Sequence, residues 1–466
     1  MIVNDIHSQL NETPVRRIIK PDSLEALRQT IQSLNDKDER CSVAGGRHAM
    51  GGQQFLTGET LIDMSLMNRI ISLDSERGTV DVEAGAMWTP LINELHSLQQ
   101  NESRVWSIIQ KQTGADKITL GGSLSANIHG RGLRLKPIIG DVESFVLVDA
   151  NAQILTCSRT ENAELFILVI GGYGLFGVIA QVRLRLARRH KLRRIVRVMN
   201  LNDISAGFQE GMKLGFEYGD FQFMTDNTDE GFMHKGVLSC YLPIEDATPL
   251  GTDSRQLSPD DWSKLLYLAH TNRKQAFELY AQHYLATDNQ IYFSDTHQLS
   301  TYLDDYHAEI DFRTHAPAKG TEMITEIYVP RGKLATFMLT VREDFRRHDV
   351  NFIYGTIRLI ERDDESFLAW AKENYACVIF NLHVEHNDTG ISKARTDFRR
   401  LIDRAIEYGG SFYLTYHRWA TREQMLACYP QFIDFLRHKH RYDAAERFQT
   451  DWYYHYTQMF ANDLVH

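Results

Sequence analysis

An α+β fold of two lobes is what this sequence predicts, on three observations. The 466 residues exceed what a single hydrophobic core usually serves, so two domains is the expectation. Short strands fall in clusters joined by turns, with no strict strand–helix alternation, which argues against a doubly wound parallel sheet. A basic run from Arg188 to Arg197 then interrupts the pattern and reads as a solvated strand edge at a boundary. The expected divisions are 1–186, 187–420 and 421–466. The last is a helical, aromatic-rich segment expected to pack back on the first lobe.

The elements follow in order. Residues 22–34 read as a helix, with Leu24, Leu27, Ile31 and Leu34 stepping by three and four, Asp22 as N-cap and Glu25 closing a capping box. Strands are expected at 42–44, 60–64 and 79–83, and a hairpin at 144–148 and 153–157 turns at 149–152. Residues 178–186 alternate apolar and polar side chains, as a half-buried strand does. In the second lobe, residues 260–286 read as helical, and 323–329 and 376–384 as strands.

Composition narrows the function. With 43% hydrophobic and 24% charged residues the chain is an ordinary globular one. A net charge of −10 disfavours nucleic acid or an anionic membrane as partner. No apolar run nears the roughly 20 residues of a membrane span, and the polar start, Met1 to Asn11, is unlike a signal peptide, so a cytoplasmic protein is expected. The five cysteines are widely spaced with no CxxC pair, which fits neither a disulfide framework nor a zinc ribbon. Nineteen histidines form no HExxH or comparable cluster, so no metal site is expected.

Three glycine clusters carry the chemistry. Residues 43–53, VAGGRHAMGGQ, follow a strand and match neither GxGxxG nor GxxxxGK[ST]. Residues 119–130, TLGGSLSANIHG, and 171–179, GGYGLFGVI, add two more. Small residues are needed where backbone must touch a ligand, and three such clusters within 180 residues suit one long phosphate-bearing molecule.

In order and spacing, from roughly residue 15 to 186, these motifs resemble the PCMH-type FAD-binding domain of the vanillyl-alcohol oxidase family, and the whole pattern is most similar to aldonolactone and alditol oxidases. The resemblance implies a two-lobed FAD domain followed by an α+β substrate cap. It implies that Ala44, Gly45, Gly46, Arg47, His48, Ala49 and Gln53 hold the pyrophosphate region. Gly121, Gly122, Ser123, Ser125, Asn127 and His129 would form the second flavin loop, and Gly177, Val178 and Ile179 would close on the adenine end. It further implies a covalent bond from His48 to the flavin 8α carbon; neutral imidazole is a nucleophile near neutral pH. Gly114-Ala115-Asp116 stands where some relatives carry a second, cysteine attachment, so a second bond is not expected.

In the cap, residues 323–330 resemble the proline-terminated strand of sugar and polyol oxidases, which places Glu326 at the site. Residues 354–358 resemble their arginine-bearing strand, which brings Arg358. Asn381 and His383 share one face of a strand by period two. Residues 409–420 resemble the segment that carries a lysine beside flavin N1, but Tyr416 stands in its place, with His417 next to it. His383 and His417 are the candidate bases for a hydroxyl proton. The expected reaction is oxidation of a CH–OH group of a sugar, aldonolactone or polyol-like substrate, with oxygen or another acceptor taking the electrons. The alternatives are chemistry at a C–C or C–N bond, or a catalytically silent flavin-binding protein.

Overall fold

The computed structural model describes residues 1–466 apart from 252–254, 301, 302, 304, 465 and 466. Among the described residues the strands form four sheets. A small three-stranded parallel sheet orders Arg17–Ile19, Thr60–Asp63 and Cys41–Ala44. The helix Leu24–Asp36 buries Leu27, Ile31 and Leu34 in a cluster with Ile62, Val148 and Val178. Its cap is Ser23, whose side chain accepts from Ala26 N. Asp22 and the capping box are therefore corrected: Glu25 turns outward and pairs with Arg28 and Gln29.

The second sheet is antiparallel along its main path, in the order Ile154–Ser158, Val142–Val148, Val178–Arg188, Thr79–Glu83, Ile70–Asp74. It contains the expected hairpin, paired Leu155 to Leu147.

The largest sheet has eight strands and every pairing is antiparallel. Its order is Ile291–Phe293, Lys191–Asn200, Lys235–Ile244, Tyr218–Phe223, Phe352–Ile360, Tyr375–Glu385, Gly320–Pro330, Ser411–Phe412. The basic run therefore feeds a strand with neighbours on both sides at Lys191–Arg193, and it is a solvated edge only in part: Arg188 and Arg197 are exposed. Arg189 pairs with Asp295, His190 with Glu217, and Arg194 is buried against the Tyr241 hydroxyl. The stretch 260–286 is two helices, Pro259–Thr271 and Arg273–Ala286. They break at Asn272, whose side chain caps the second by accepting from Gln275 N. That local hydrogen bond competes with a continuous helix.

One hydrophobic cluster runs without a gap from Val80 and Val82 in the second sheet through Ile327 and Val378 in the eight-stranded sheet to Phe432 and Trp452. The segment after residue 421 packs back on the parallel sheet and the loop after it: Phe448, between two helices, bridges to Cys41, and Asp451 accepts from Thr57. Val465 and His466 lie outside the described residues. The basic helix end at 437–441 is only partly surface, because Lys439 is fully buried and paired with Asp443.

Candidate cofactor and substrate site

A cavity of about 780 Å³ lies between the glycine loops and the eight-stranded sheet. The first loop leaves the strand Cys41–Ala44, and its bare glycines are what let the loops close on one another. A Cβ on Gly45 would strike the Thr119 side chain, and one on Gly46 the Lys117 carbonyl. Ala44 to Ala49 and Gln53 line the cavity, and Arg47 is held at φ 58°, a conformation uncommon for a side-chain-bearing residue.

The second cluster forms a short helix, Leu120–Ala126, which Thr119 caps by accepting from Gly122 N. Helical spacing puts Ile118, Gly121, Gly122 and Ser125 on the cavity side. The third cluster brings Tyr173, Gly174, Gly177, Val178 and Ile179 to the same space. A Cβ on Gly177, at φ 142°, would sit 2.7 Å from the Val148 carbonyl.

The opposite wall comes from three neighbouring strands. Tyr354 lies across from Asn381, and Ile324 and Glu326 lie across from Asn381 and Ile379. Arg358 is two residues beyond Thr356 on the same face. Arg358 is 4% exposed, yet its Nε and Nη1 have no hydrogen-bond partner, and neither does Asn381 Oδ1. Both side chains belong to the cavity lining.

Glu326 is the hub of a buried network. Its Oε2 accepts from Tyr328 (2.9 Å) and meets His129 Nε2 (2.8 Å), and its Oε1 accepts from Tyr416 (2.9 Å). Burial pushes its carboxyl up, but His129, Arg358 and Tyr328 more than reverse that and hold it at about 2. Burial, with Glu326 beside it, pushes the Tyr416 phenol well above its ordinary value. Tyr416 is thus a neutral donor. His48 Nδ1 lies 2.9 Å from His7 Nε2, while its buried Nε2 has no partner in hydrogen-bond geometry. Burial and His7 keep the His48 ring well below its ordinary value, against a smaller opposing effect of the Lys117 carbonyl, and so neutral.

Residues 15–158 match the model of an FAD-binding domain. The chain carries an FAD-binding domain. It is 28% identical over 206 residues to L-galactono-1,4-lactone dehydrogenase 1, mitochondrial, from Oryza sativa subsp. japonica, covering 43% of this chain and 34% of that protein. It is 30% identical over 166 residues to L-gulonolactone oxidase from Bos taurus, covering 36% of each. It is 29% identical over 171 residues to cytokinin dehydrogenase 2 from Arabidopsis thaliana, covering 36% and 32%. The chain spans about a third of the length of these curated relatives.

The FAD-binding domain suits its cofactor: three loops present small side chains and bare backbone to one cavity, and His48 Nε2 waits buried beside it. Five of the residues expected at the site do not line the cavity. Ser123 is on the far side of its helix, accepting from Trp88 Nε1–H. Asn127 ends that helix in the left-handed region and donates to Asp363. His129 acts from behind, through Glu326. His383 turns to Glu322 at the end of its strand. His417 is buried and stacked on Trp419 at 4.3 Å, so it is removed as a base along with His383.

The segments 218–223 and 293–298, which set polar groups among aromatics and read in the sequence more as packing than as pocket, build a second polar end of the cavity together with Arg131, which the sequence reading missed. There Arg131, Asp220 and His297 sit among Tyr280, Tyr284 and Tyr292. Arg131 donates to the His297 carbonyl and to Asp220, and stacks over Tyr241 at 5.0 Å. Both ring nitrogens of His297 are buried and unpartnered. Arg131 follows the IHG motif by one residue, which is the signal that was available for it. His297 had only its place among aromatics at 293–298.

Proposed function

We propose that this chain is an FAD-dependent oxidase or dehydrogenase that oxidises a CH–OH group of a small polar alcohol of the sugar-lactone or polyol class. The observation that carries the reading is the pair of Arg358 and Asn381. Arg358 offers unpartnered N–H donors and Asn381 an unpartnered oxygen acceptor, buried on one wall of one cavity. A hydroxyl group both accepts and donates, so a substrate hydroxyl satisfies the two together. An alkene satisfies neither. Two of the relatives are named for lactones and one for a cytokinin, and this donor–acceptor pair favours the first class.

FAD bound along the glycine loops supplies the two-electron acceptor. Arg358 orients the substrate oxygen and stabilises negative charge that develops on it. Glu326, kept ionised and held by His129, Tyr328 and Tyr416, is the negative charge that faces Arg358. His297, neutral because burial and Arg131 lower it well below its ordinary value, supplies a lone pair at the far end of the cavity. The half-buried rings of Tyr280, Tyr284 and Tyr292 give that end of the cavity an aromatic wall.

The attachment of FAD belongs to the same proposal. His48 Nε2 would be the atom that holds the flavin, since it is buried without a hydrogen-bond partner while Nδ1 faces His7 Nε2 at 2.9 Å. Acid precipitation of the purified protein is expected to leave yellow colour in the pellet, and none in the pellet of His48→Ala. Colour released to the supernatant by the unaltered protein would remove the bond and leave the cofactor. Anaerobic bleaching of the flavin by lactones and polyols, with no response to alkylamines or alkenes, is the expected substrate result. Bleaching by amines alone would overturn it.

A further inference from the structure

Outside the cavity lining, one cluster of side chains has no part in the chemistry above. We propose that His270, Glu322 and His383 form a binding site for a divalent first-row transition-metal ion, at the rim of the substrate end. Each ligand comes from a different element. His270 is in the last turn of the helix Pro259–Thr271, Glu322 is in the strand Gly320–Pro330, and His383 is its direct partner on Tyr375–Glu385.

The geometry is that of ligands around a common centre. Glu322 Oε1 lies 3.1 Å from His270 Nε2 and 3.5 Å from His383 Nδ1, and the three atoms all lie within 4.8 Å of one another. Nitrogen and oxygen ligands sit at about 2.0–2.2 Å from zinc, so tetrahedral neighbours are about 3.4 Å apart. None of these three atoms makes a hydrogen bond, although all are buried. A nitrogen 3.1 Å from a carboxylate oxygen would form one if its N–H pointed there. Lone pairs converging on one point explain both the closeness and the missing bonds. The nearby trio of His129, Glu326 and Cys377 is different, since a 2.8 Å hydrogen bond already joins its histidine and glutamate.

Supporting contacts hold the ligands in this pose, as metal sites require. Glu322 is 3% exposed. Its other oxygen, Oε2, accepts from the Tyr306 hydroxyl at 2.5 Å and meets His307 Nδ1 at 2.7 Å, which leaves Oε1 for the histidine pair. The rings of His270 and His383 stand at 87° with centroids 5.1 Å apart. A Cβ on Gly320 would overlap the His383 ring, so that glycine is what gives the imidazole its seat.

The site adjoins the cavity. Period two puts His383 on the same strand face as Asn381, about 7 Å along, and Tyr306 lines the cavity while holding Glu322. Three protein ligands leave a fourth position for water or a substrate oxygen. The ion ties the helix Pro259–Thr271 to the sheet at the cavity rim.

The test is metal content and Zn²⁺ titration of the flavin-loaded protein. After chelation and dialysis, calorimetric titration with Zn²⁺ alone is expected to show one equivalent per chain and a rise in melting temperature. Glu322→Gln and His270→Ala are expected to weaken binding at least 100-fold while keeping their flavin content. His270 is on a cap helix, so its variant guards against a folding failure at Glu322. Absence of stoichiometric uptake by the unaltered protein would overturn the proposal, and so would equal uptake by His270→Ala.

Discussion

Tyr416 shows how one side chain redistributes charge around a site. Where the resemblance led to the expectation of a lysine, this chain has a neutral phenol that donates to Glu326. The cation on that wall of the cavity is Arg358, and the proposed charge stabilisation rests on it. Arg358→Gln is expected to lower kcat/KM by about 100-fold or more, the usual cost of a lost charge-stabilising donor, with flavin content unchanged. Steady-state kinetics with the best bleaching substrate checks this, and a loss under threefold would remove Arg358 from the chemistry. Glu326 and Arg358 were expected at the cavity from the family resemblance and Asn381 from the two-residue period of its strand, and all three line it. His383 and His417 were misplaced as bases, because pairing with Glu322 and stacking on Trp419 depend on partners far away in the chain.

At the scale of the element, the short turn Ile138–Asp141 buries a carboxyl that accepts from Gln110. Burial pushes Asp141 up to about 7, against smaller opposing effects of Gln110 and Arg185. A carboxyl with a raised folded-state value favours the folded protein most below its unfolded value, near 4. That contribution is lost as pH rises through about 7. Asp141→Asn is therefore expected to flatten the fall in stability between pH 4 and pH 8, by roughly 4 kcal/mol at most. Urea midpoints at the two ends of the range measure it, and unchanged slopes would show that Asp141 is not the titrating group. Elements with strong periodicity, such as 79–83 and 178–186, were readable directly. The break at Asn272 and the cap at Ser23 were not, since competing side-chain hydrogen bonds decide them.

For the whole molecule, the continuous core from Val80 to Trp452 and the C-terminal segment closing on Cys41 and Thr57 predict cooperative behaviour. Scanning calorimetry of the flavin-loaded protein is expected to show one endotherm, coincident with loss of circular dichroism. Two separable transitions would mean that the lobes unfold independently. The sequence by itself determined the three glycine loops, their order and the strands with clear alternation, because those features are local: small residues at close approaches and period two along a strand. The cofactor came from the family resemblance that the loops carry together. Only the tertiary structure decided which residues meet across the cavity, that Arg131 and His297 build its far end, and that His270, Glu322 and His383 converge. Those ligands are 52 and 61 residues apart in sequence, and antiparallel pairing together with one overlying helix brings them within reach.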